Sequence, residues 1–481
     1  MKKMNLLVMS LVSAAALSFT SCSSNDDLAG DNAGQGKVDQ FYMTLTIQTP
    51  NSNGTRTAVK DHTTENATPA ESDVTSGTFY LVDANNKIVF THPITKEEWA
   101  EKKIPTQGTN GKTTLQVPVK NVTAGTTYSV YFLANTTSES PLTEVFTSND
   151  KFAKAYSADN NFAMFNENDA DVKGNSHTVV FTSDNKDANS AAKVSSTINI
   201  ERLTARIDEP KSAASTIQPY TVDASASDEE KKANANAVKA VKSLKLTSYA
   251  ISNVANKTNV MQQWADATTL SIPTGIIYFQ PTTEFGTKTL LQNYGYFNAV
   301  TTDRTQKDYI FENNSSDAAT SMYFEYTVEL SDEYKDKADI KDGTFYRYNK
   351  VIYSRIQDII DAYKDQKAIF DGKDADTVVK ELKDAQTGPD SEAKLDEFRK
   401  KYDIEVFNAG KTYYVQKIQD QYLGVANTIQ RNSIYQLNVK NIFNVGAQVP
   451  NGGPDDRTLY YLDVEVSVNP WVLNEQSVDL K

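Results

Sequence analysis

Residues 41–48 read Phe-Tyr-Met-Thr-Leu-Thr-Ile-Gln, and Thr49 to Ala58 continue as Thr-Pro-Asn-Ser-Asn-Gly-Thr-Arg-Thr-Ala. Phe41, Met43, Leu45 and Ile47 alternate with polar residues, the period of a strand with one buried face. The Pro, Asn, Gly and Thr residues that follow predict an exposed loop carrying one Arg, the kind of segment where proteolytic nicking concentrates. The same alternation recurs at 78–82, 128–133, 177–181, 244–251, 322–330, 412–415, 434–439 and 462–468, each run bounded by turn-forming residues. Short β-branched and aromatic runs between turn signals predict a mainly β protein built of sandwiches.

Composition narrows the function. The 481 residues hold 49 basic and 62 acidic side chains, a formal charge of −13. No nucleic-acid partner is expected, because such binding needs basic patches. Three His and one Cys leave little for a zinc site, a thiol nucleophile or a disulfide scaffold. His62, His92 and His177 fall in loops or at strand starts, with no carboxylate or Ser at a spacing that suggests a triad. No phosphate-binding, dinucleotide or G-x-S-x-G motif occurs. Asn166 to Asp171 and Gly453 to Asp456 offer oxygens to calcium, but neither follows the EF-hand loop, and solvated turns are the simpler reading. Trp264 and Trp471 could be sugar platforms, although the aromatics of a sandwich mostly fill its core. The expectation is a non-enzymatic protein with no cofactor and no metal.

The N-terminus carries an address. Lys2 and Lys3 precede an apolar run from Leu6 to Leu17, then Ser18-Phe19-Thr20-Ser21-Cys22. A charged start, an apolar stretch too short to span a bilayer and small residues before a cut predict a signal peptide over 1–21. The segment is similar to a bacterial lipoprotein signal, with Phe19 in place of the usual Leu. That similarity makes Cys22 the expected lipidation site and a membrane the expected partner, since several acyl chains together give stable anchoring. An ordinary secretory signal with an incidental Cys is the alternative. Residues 23–37 are small and polar, a flexible tether.

Two polar stretches punctuate the chain: 184–195 reads as a loop, and 211–236 has little to bury. From 351 to 402, Ile356, Ile359, Ile360, Tyr363, Leu382, Leu395 and Phe398 recur at three- and four-residue spacing, interrupted at Asp371-Gly372 and Gly388-Pro389. This predicts a helical insertion on the surface of a β domain. At the far end, 460–468 alternates again and runs into Asn469-Pro470-Trp471-Val472-Leu473 and Gln476 to Leu480. A terminal strand without a following partner is an edge that invites pairing with another chain.

Four landmarks carry a resemblance. Arg431 to Val439 (RNSIYQLNV) resembles the R-N-x-x-Y-x-(L/I)-x-(V/I) segment of the Bacteroidales fimbrillins. The tail from Val464 (VEVSVNPWVLNEQSVDL) is similar to the ending of their minor-fimbrium major stalk subunit. Ile200 to Ile207 (IERLTARI) resembles the family's V-E-R-x-x-A-R segment near a domain junction, and Gly54 to Ala58 its maturation site. Residues 184–195, 211–240 and 351–402 match nothing in that family.

The resemblance implies a subunit of a type V pilus with two transthyretin-like β-sandwich domains in tandem. These would span 57–207 and 208–481, the second carrying the 351–402 insertion. It implies that a lipidated precursor reaches the outer membrane and that an Arg-specific protease cuts between Arg56 and Thr57, removing 22–56. The strand bearing Phe41, Met43, Leu45 and Ile47 would then vacate a groove, to be filled by the C-terminal strand of the next identical subunit, head to tail. Pilus anchor and tip subunits are further implied partners, and adhesion and biofilm formation the implied roles. Burying four such side chains is worth roughly 6–12 kcal/mol before entropy is deducted, so a strand held this way leaves only once its covalent connection is cut. Pro470 interrupts the last ladder, which leaves 459–468 in its own domain and makes Trp471, Leu473, Val478 and Leu480 the donor residues. An accessory tip adhesin of the same pilus and a surface glycan-binding lipoprotein are the competing readings.

Overall fold

The computed structural model describes residues 40–49, 68–102, 104–105, 112–168, 177–220, 227–279, 297–301, 303, 305–365, 369–418, 420, 423, 425, 427–450 and 462–470, the last segment as backbone alone. The chain is mainly β and holds several sheets. As far as Arg202 the strands used below are β1 (Phe41–Gln48), β2 (Gly77–Val82), β3 (Ile88–Ile94), β4 (Lys112–Val119), β5 (Thr127–Ala134), β6 (Val145–Thr147), β7 (Met164–Asn166), β8 (Thr178–Val180), β9 (Ala192–Lys193) and β10 (Ile198–Arg202). All but β6 join Ile104–Pro105 in one ten-stranded sheet. It runs β3-β2-β5-β7-β10-β1-β4 and closes on the two-residue strand, with β8 beside β5 and β9 beside β1.

That sheet folds over itself. Met43, Leu45 and Ile47 of β1 and Leu115 and Val117 of β4 share one core with Phe79, Phe132 and Ile200 from the other arm. β2 departs from simple alternation, since all six of its residues are buried. Its second face, Tyr80 and Val82, packs with Leu133, Phe146 and Val260 in a separate core, and a strand covered on both faces need not alternate.

Beyond Arg202 lie β11 (Ala205–Asp208), β12 (Lys211–Ser212), β13 (Val241–Ser252), β14 (Lys257–Asn259), β15 (Lys307–Ile310), β16 (Ser321–Leu330), β17 (Lys411–Lys417), β18 (Ser433–Ile442) and β19 (Leu462–Pro470). β18 is their spine. It runs parallel to β11 at Arg206↔Ile434 and to β12 at Lys211↔Asn438, and antiparallel to β19 from Ser433↔Pro470 to Ile442↔Leu462. A strand has two edges, so β19 takes one whole edge and β11 and β12 share the other. Tyr435 and Leu437 of β18 pack in one core with Tyr249 of β13, Phe324 of β16 and Tyr414 of β17. The two groups of strands meet directly: β6 pairs with β14, and Ile434 belongs to the core of the first sheet.

Three expectations need revision. The stretch 211–236 is not mere solvated chain. β12 pairs with β18, and a helix spans Asp228–Ala240, with Ala233, Asn234, Ala237 and Ala240 buried. Ser227 caps it: its hydroxyl accepts from the Glu230 amide while Glu230 accepts from Ser227. The 351–402 region opens on a strand, Val351–Tyr353, before its helices Ile356–Ala362, Ala375–Ala385 and Ser391–Tyr402. These close a core of their own (Ile356, Leu382, Leu395, Phe398) on Tyr346 and Val406 of a small sheet. Lastly, His92 lies within β3 rather than at a strand start.

Candidate functional site

β1 is the element whose setting is most informative. It is an inner strand, hydrogen-bonded on both edges. β4 pairs with it antiparallel along its whole length, from Phe41↔Val119 to Gln48↔Lys112. On the other edge β9 runs parallel at Met43↔Ala192, and β10 at Ile47↔Ile198. Phe41, Met43, Leu45 and Ile47 are all 3% exposed or less, and the Phe41 ring meets Phe181 edge-on at 5.6 Å. Tyr42, Thr44, Thr46 and Gln48 look outward yet are only half-exposed, with Thr46 Oγ1 2.9 Å from Thr114 Oγ1. The groove therefore offers four apolar pockets and two backbone ladders, the ingredients of β-augmentation.

The strand β4 was missed from the sequence, although Thr113, Leu115, Val117 and Val119 alternate there and are buried. The stretch 184–195 is also more than a loop: β9 lies within it, and the Val194 amide donates to the Thr44 carbonyl at 3.0 Å.

The other expected site residues, Cys22, Arg56, Thr57, Trp471, Leu473, Val478 and Leu480, lie outside the described residues. At the C-terminal end, β19 stays paired with β18 as far as Pro470. Among the described residues no strand pairs with its outer edge.

The remaining candidates resolve into structural roles. The Asn166 carboxamide is buried, accepting from the Phe132 amide and donating to the Val130 carbonyl. Trp264 Nε1 donates to the Asn168 carbonyl at 2.6 Å. His177 Nδ1 lies 2.8 Å from Ser196 Oγ, and burial pulls its pKa down. His62, Asp171 and Gly453 to Asp456 lie outside the described residues. Among the described residues no three His, Cys, Asp or Glu side chains gather to hold a metal.

Two of the sequence landmarks meet where the sheets join. Arg202, Arg206 and Arg431 are all but fully buried. Arg202 Nε donates to the Glu71 carbonyl at 2.6 Å and its NH1 to Asn432 Oδ1 at 3.0 Å. Arg206 is gripped by Asp208 at 2.6 Å and Glu71 at 3.1 Å. Glu71, in the short helix Pro69–Ser72, also takes Lys307 at 3.1 Å and the Tyr309 hydroxyl at 2.7 Å. Burial pushes the Glu71 carboxyl up, but Arg206, Tyr309, the Thr68 amide and Lys307 together outweigh it and hold the group at about 2. Arg431 donates to the carbonyls of Val260 and Asn259 and to Thr258 Oγ1, and pairs with Glu312 at 2.8 Å. Asn432, at a left-handed φ of 54° that Asn tolerates, turns the chain into β18. Together these side chains lock β10–β11, Pro69–Ser72 and the start of β18 into one body.

Comparison with known proteins picks out the same end of the chain. Residues 405–477 match the family model "Major fimbrial subunit protein type IV, Fimbrillin, C-terminal", a span that takes in β17, β18 and β19. No curated protein sequence matches the chain. Solved structures similar to it include two candidate cell adhesion proteins of Parabacteroides distasonis ATCC 8503. One has 12% identity and a TM-score of 0.45, with 90% of this chain and 100% of that chain covered. The other has 10% identity and a TM-score of 0.44, with coverages of 89% and 96%. A fimbrial assembly protein of the same organism has 8% identity, a TM-score of 0.36 and coverages of 92% and 99%.

Proposed function

We propose, from the match of residues 405–477 to a fimbrillin C-terminal model, that this chain is a fimbrillin and serves as a structural, non-enzymatic subunit of a cell-surface fimbria. The subunit is exported as a lipoprotein through Cys22 and held at the outer membrane. An Arg-specific protease cuts it between Arg56 and Thr57, and it then polymerises by strand exchange to form the stalk. Adhesion and biofilm formation follow from that role.

One observation carries the reading. β1, which precedes the segment holding Arg56 in the sequence, is buried on one face and paired on both edges. While the chain is continuous, the groove is satisfied internally. Once it is cut and β1 departs, the groove exposes four apolar pockets and the unpaired backbone of β4, β9 and β10. Such a slot favours an extended strand from another copy. A head-to-tail contact of this kind is heterologous and need not close, so a filament follows from the geometry.

The test uses non-acylated protein beginning at Ser23, treated with an Arg-specific protease. A new N-terminus at Thr57 and a ladder of oligomers on an unboiled denaturing gel, lost when residues 471–481 are deleted, are the expected results. Cutting elsewhere, or a clean cut at Arg56 that leaves only monomer, would turn the assignment toward a tip adhesin or a glycan-binding lipoprotein.

A further inference from the structure

The segment between β8 and β9 carries an arrangement that strand exchange does not by itself require. After Phe181 the chain makes two tight turns, Ser183–Lys186 and Ala188–Ser190, and returns as β9 on the edge of β1. Gln116 of β4 donates from Nε2 to the Ala188 carbonyl at 2.6 Å. β4 and β9 lie on opposite edges of β1, and neighbouring strands are about 4.8 Å apart. A side chain reaching from β4 to Ala188 must therefore cross the outer face of β1, with Ala188 above that face rather than beside its edge. Lys186 Nζ sits 5.6 Å from the centre of the Phe41 ring, at the beginning of the strand. The segment is also braced from within: Asn185 accepts from the Thr182 amide at 2.6 Å and donates to the Ser190 carbonyl at 2.6 Å.

We infer that residues 182–191 form a strap across the outer face of β1 and that the opening of this strap sets how fast the strand can leave its groove. The inference rests on the strand-exchange reading for its biological use, though not for its physics. β1 cannot move inward, because the core fills that side. It cannot move sideways, because β4 and β9 flank it. Lifting outward requires the Gln116–Ala188 bridge and the Val194–Thr44 bond to break. An incoming strand would meet the same strap, so the device governs both exit and entry.

The test is native-state amide hydrogen exchange on the full, uncut chain, read by mass spectrometry, for wild type, Gln116→Ala and Asn185→Ala. Gln116 looks outward from β4, so its truncation leaves the core intact, and Asn185→Ala removes hydrogen bonds that run within the strap, to Thr182 and Ser190. Both variants are expected to exchange the amides of residues 42–48 and 184–194 roughly five- to tenfold faster, the effect of losing one or two modest hydrogen bonds on a local opening. Amides of β18 should be unchanged. Unaltered exchange at 42–48 in both variants would overturn the strap, as would acceleration spread equally over β18, which reports general destabilisation. Neither arm needs cleavage or polymerisation. A chain whose β1 responds to Gln116 but which stays monomeric after cutting keeps the strap and retires the strand-exchange reading, whereas oligomers that form with no strap effect do the reverse.

Discussion

Glu71→Gln is the substitution that most directly tests the junction. The change keeps the size of the side chain, removes its charge and replaces one acceptor oxygen with an NH2 donor among partners that all donate, in a position 1% exposed. Arg206 keeps Asp208 as a partner, so no guanidinium is left wholly unpaired and the loss should reflect Glu71 alone. Its carboxyl stands at about 2 instead of an ordinary 4.5, which corresponds to about 3 kcal/mol of stabilisation of the folded state. The same order follows from breaking a buried ion pair on one side, about 3–5 kcal/mol. The sign is fixed by the direction of the shift. A carboxyl with a depressed folded pKa stabilises above its unfolded pKa, and that stability is lost as pH falls toward the folded value. Urea unfolding at pH 7 should therefore separate wild type from variant by about 3 kcal/mol. By roughly pH 2.5 the gap should shrink to about 1 kcal/mol or less, because both unfolded chains then carry a neutral group. Equal stability at pH 7 would show that the buried charges only offset their own desolvation. A gap that persists unchanged to pH 2.5 would place the effect in packing and in the lost acceptor, and refute the electrostatic account.

Leu45→Ala, in the middle of β1 and 1% exposed, should lower unfolding free energy by about 2–5 kcal/mol, seen as a reduced urea midpoint without loss of slope. Gly446→Ala should destabilise by at least about 1–3 kcal/mol in thermal melts, since an added Cβ would fall 2.1 Å from the Tyr413 carbonyl oxygen, a backbone atom with little room to give. Asn234→Ala removes one acceptor for the Tyr220 amide and donors to the carbonyls of Gln218 and Phe443. It should lower stability by about 1–3 kcal/mol, and circular dichroism should show whether the helix Asp228–Ala240 is retained. Ser227→Ala, which removes only that helix's cap, should change stability by about 1 kcal/mol, and a loss as large as that of Asn234→Ala would overturn the ranking.

What could be read from the sequence, and what could not, follows from how each signal is written. One-face burial writes a period of two, which made β1 and the alternating middle of β18 legible, whereas β5, β13 and β16, buried on both faces over part of their length, were legible as β-branched and aromatic runs between turn signals. β4 carries the same period, but Pro118 lies within it, and a proline counts against a central strand because it cannot donate to a ladder. The helix Asp228–Ala240 buries Ala and Asn, not Leu or Ile, so its apolar face has almost no hydrophobic contrast. Its readable sign was the Ser227–Glu230 spacing of a capping box. The strap was hidden for a different reason. Its hold on β1 comes through backbone carbonyls and one outward carboxamide, and a carbonyl is the same at every position. The junction was hidden most deeply, since an Arg in a sequence reads as surface until its acceptors are known. Yet the segments IERLTARI and RNSIYQLNV were the two internal landmarks of the family resemblance, and they meet at the junction, where Asn432 donates its amide to the Thr204 carbonyl and accepts from Arg202. Arg431 satisfies two carbonyls, a hydroxyl and a carboxylate at once. A lysine, with a single ammonium and no planar fork, could not reach that set from one position. The identity of the residue is therefore dictated by fixed acceptors drawn from Thr258 to Val260 and from Glu312, and this physical demand is what the motif spells.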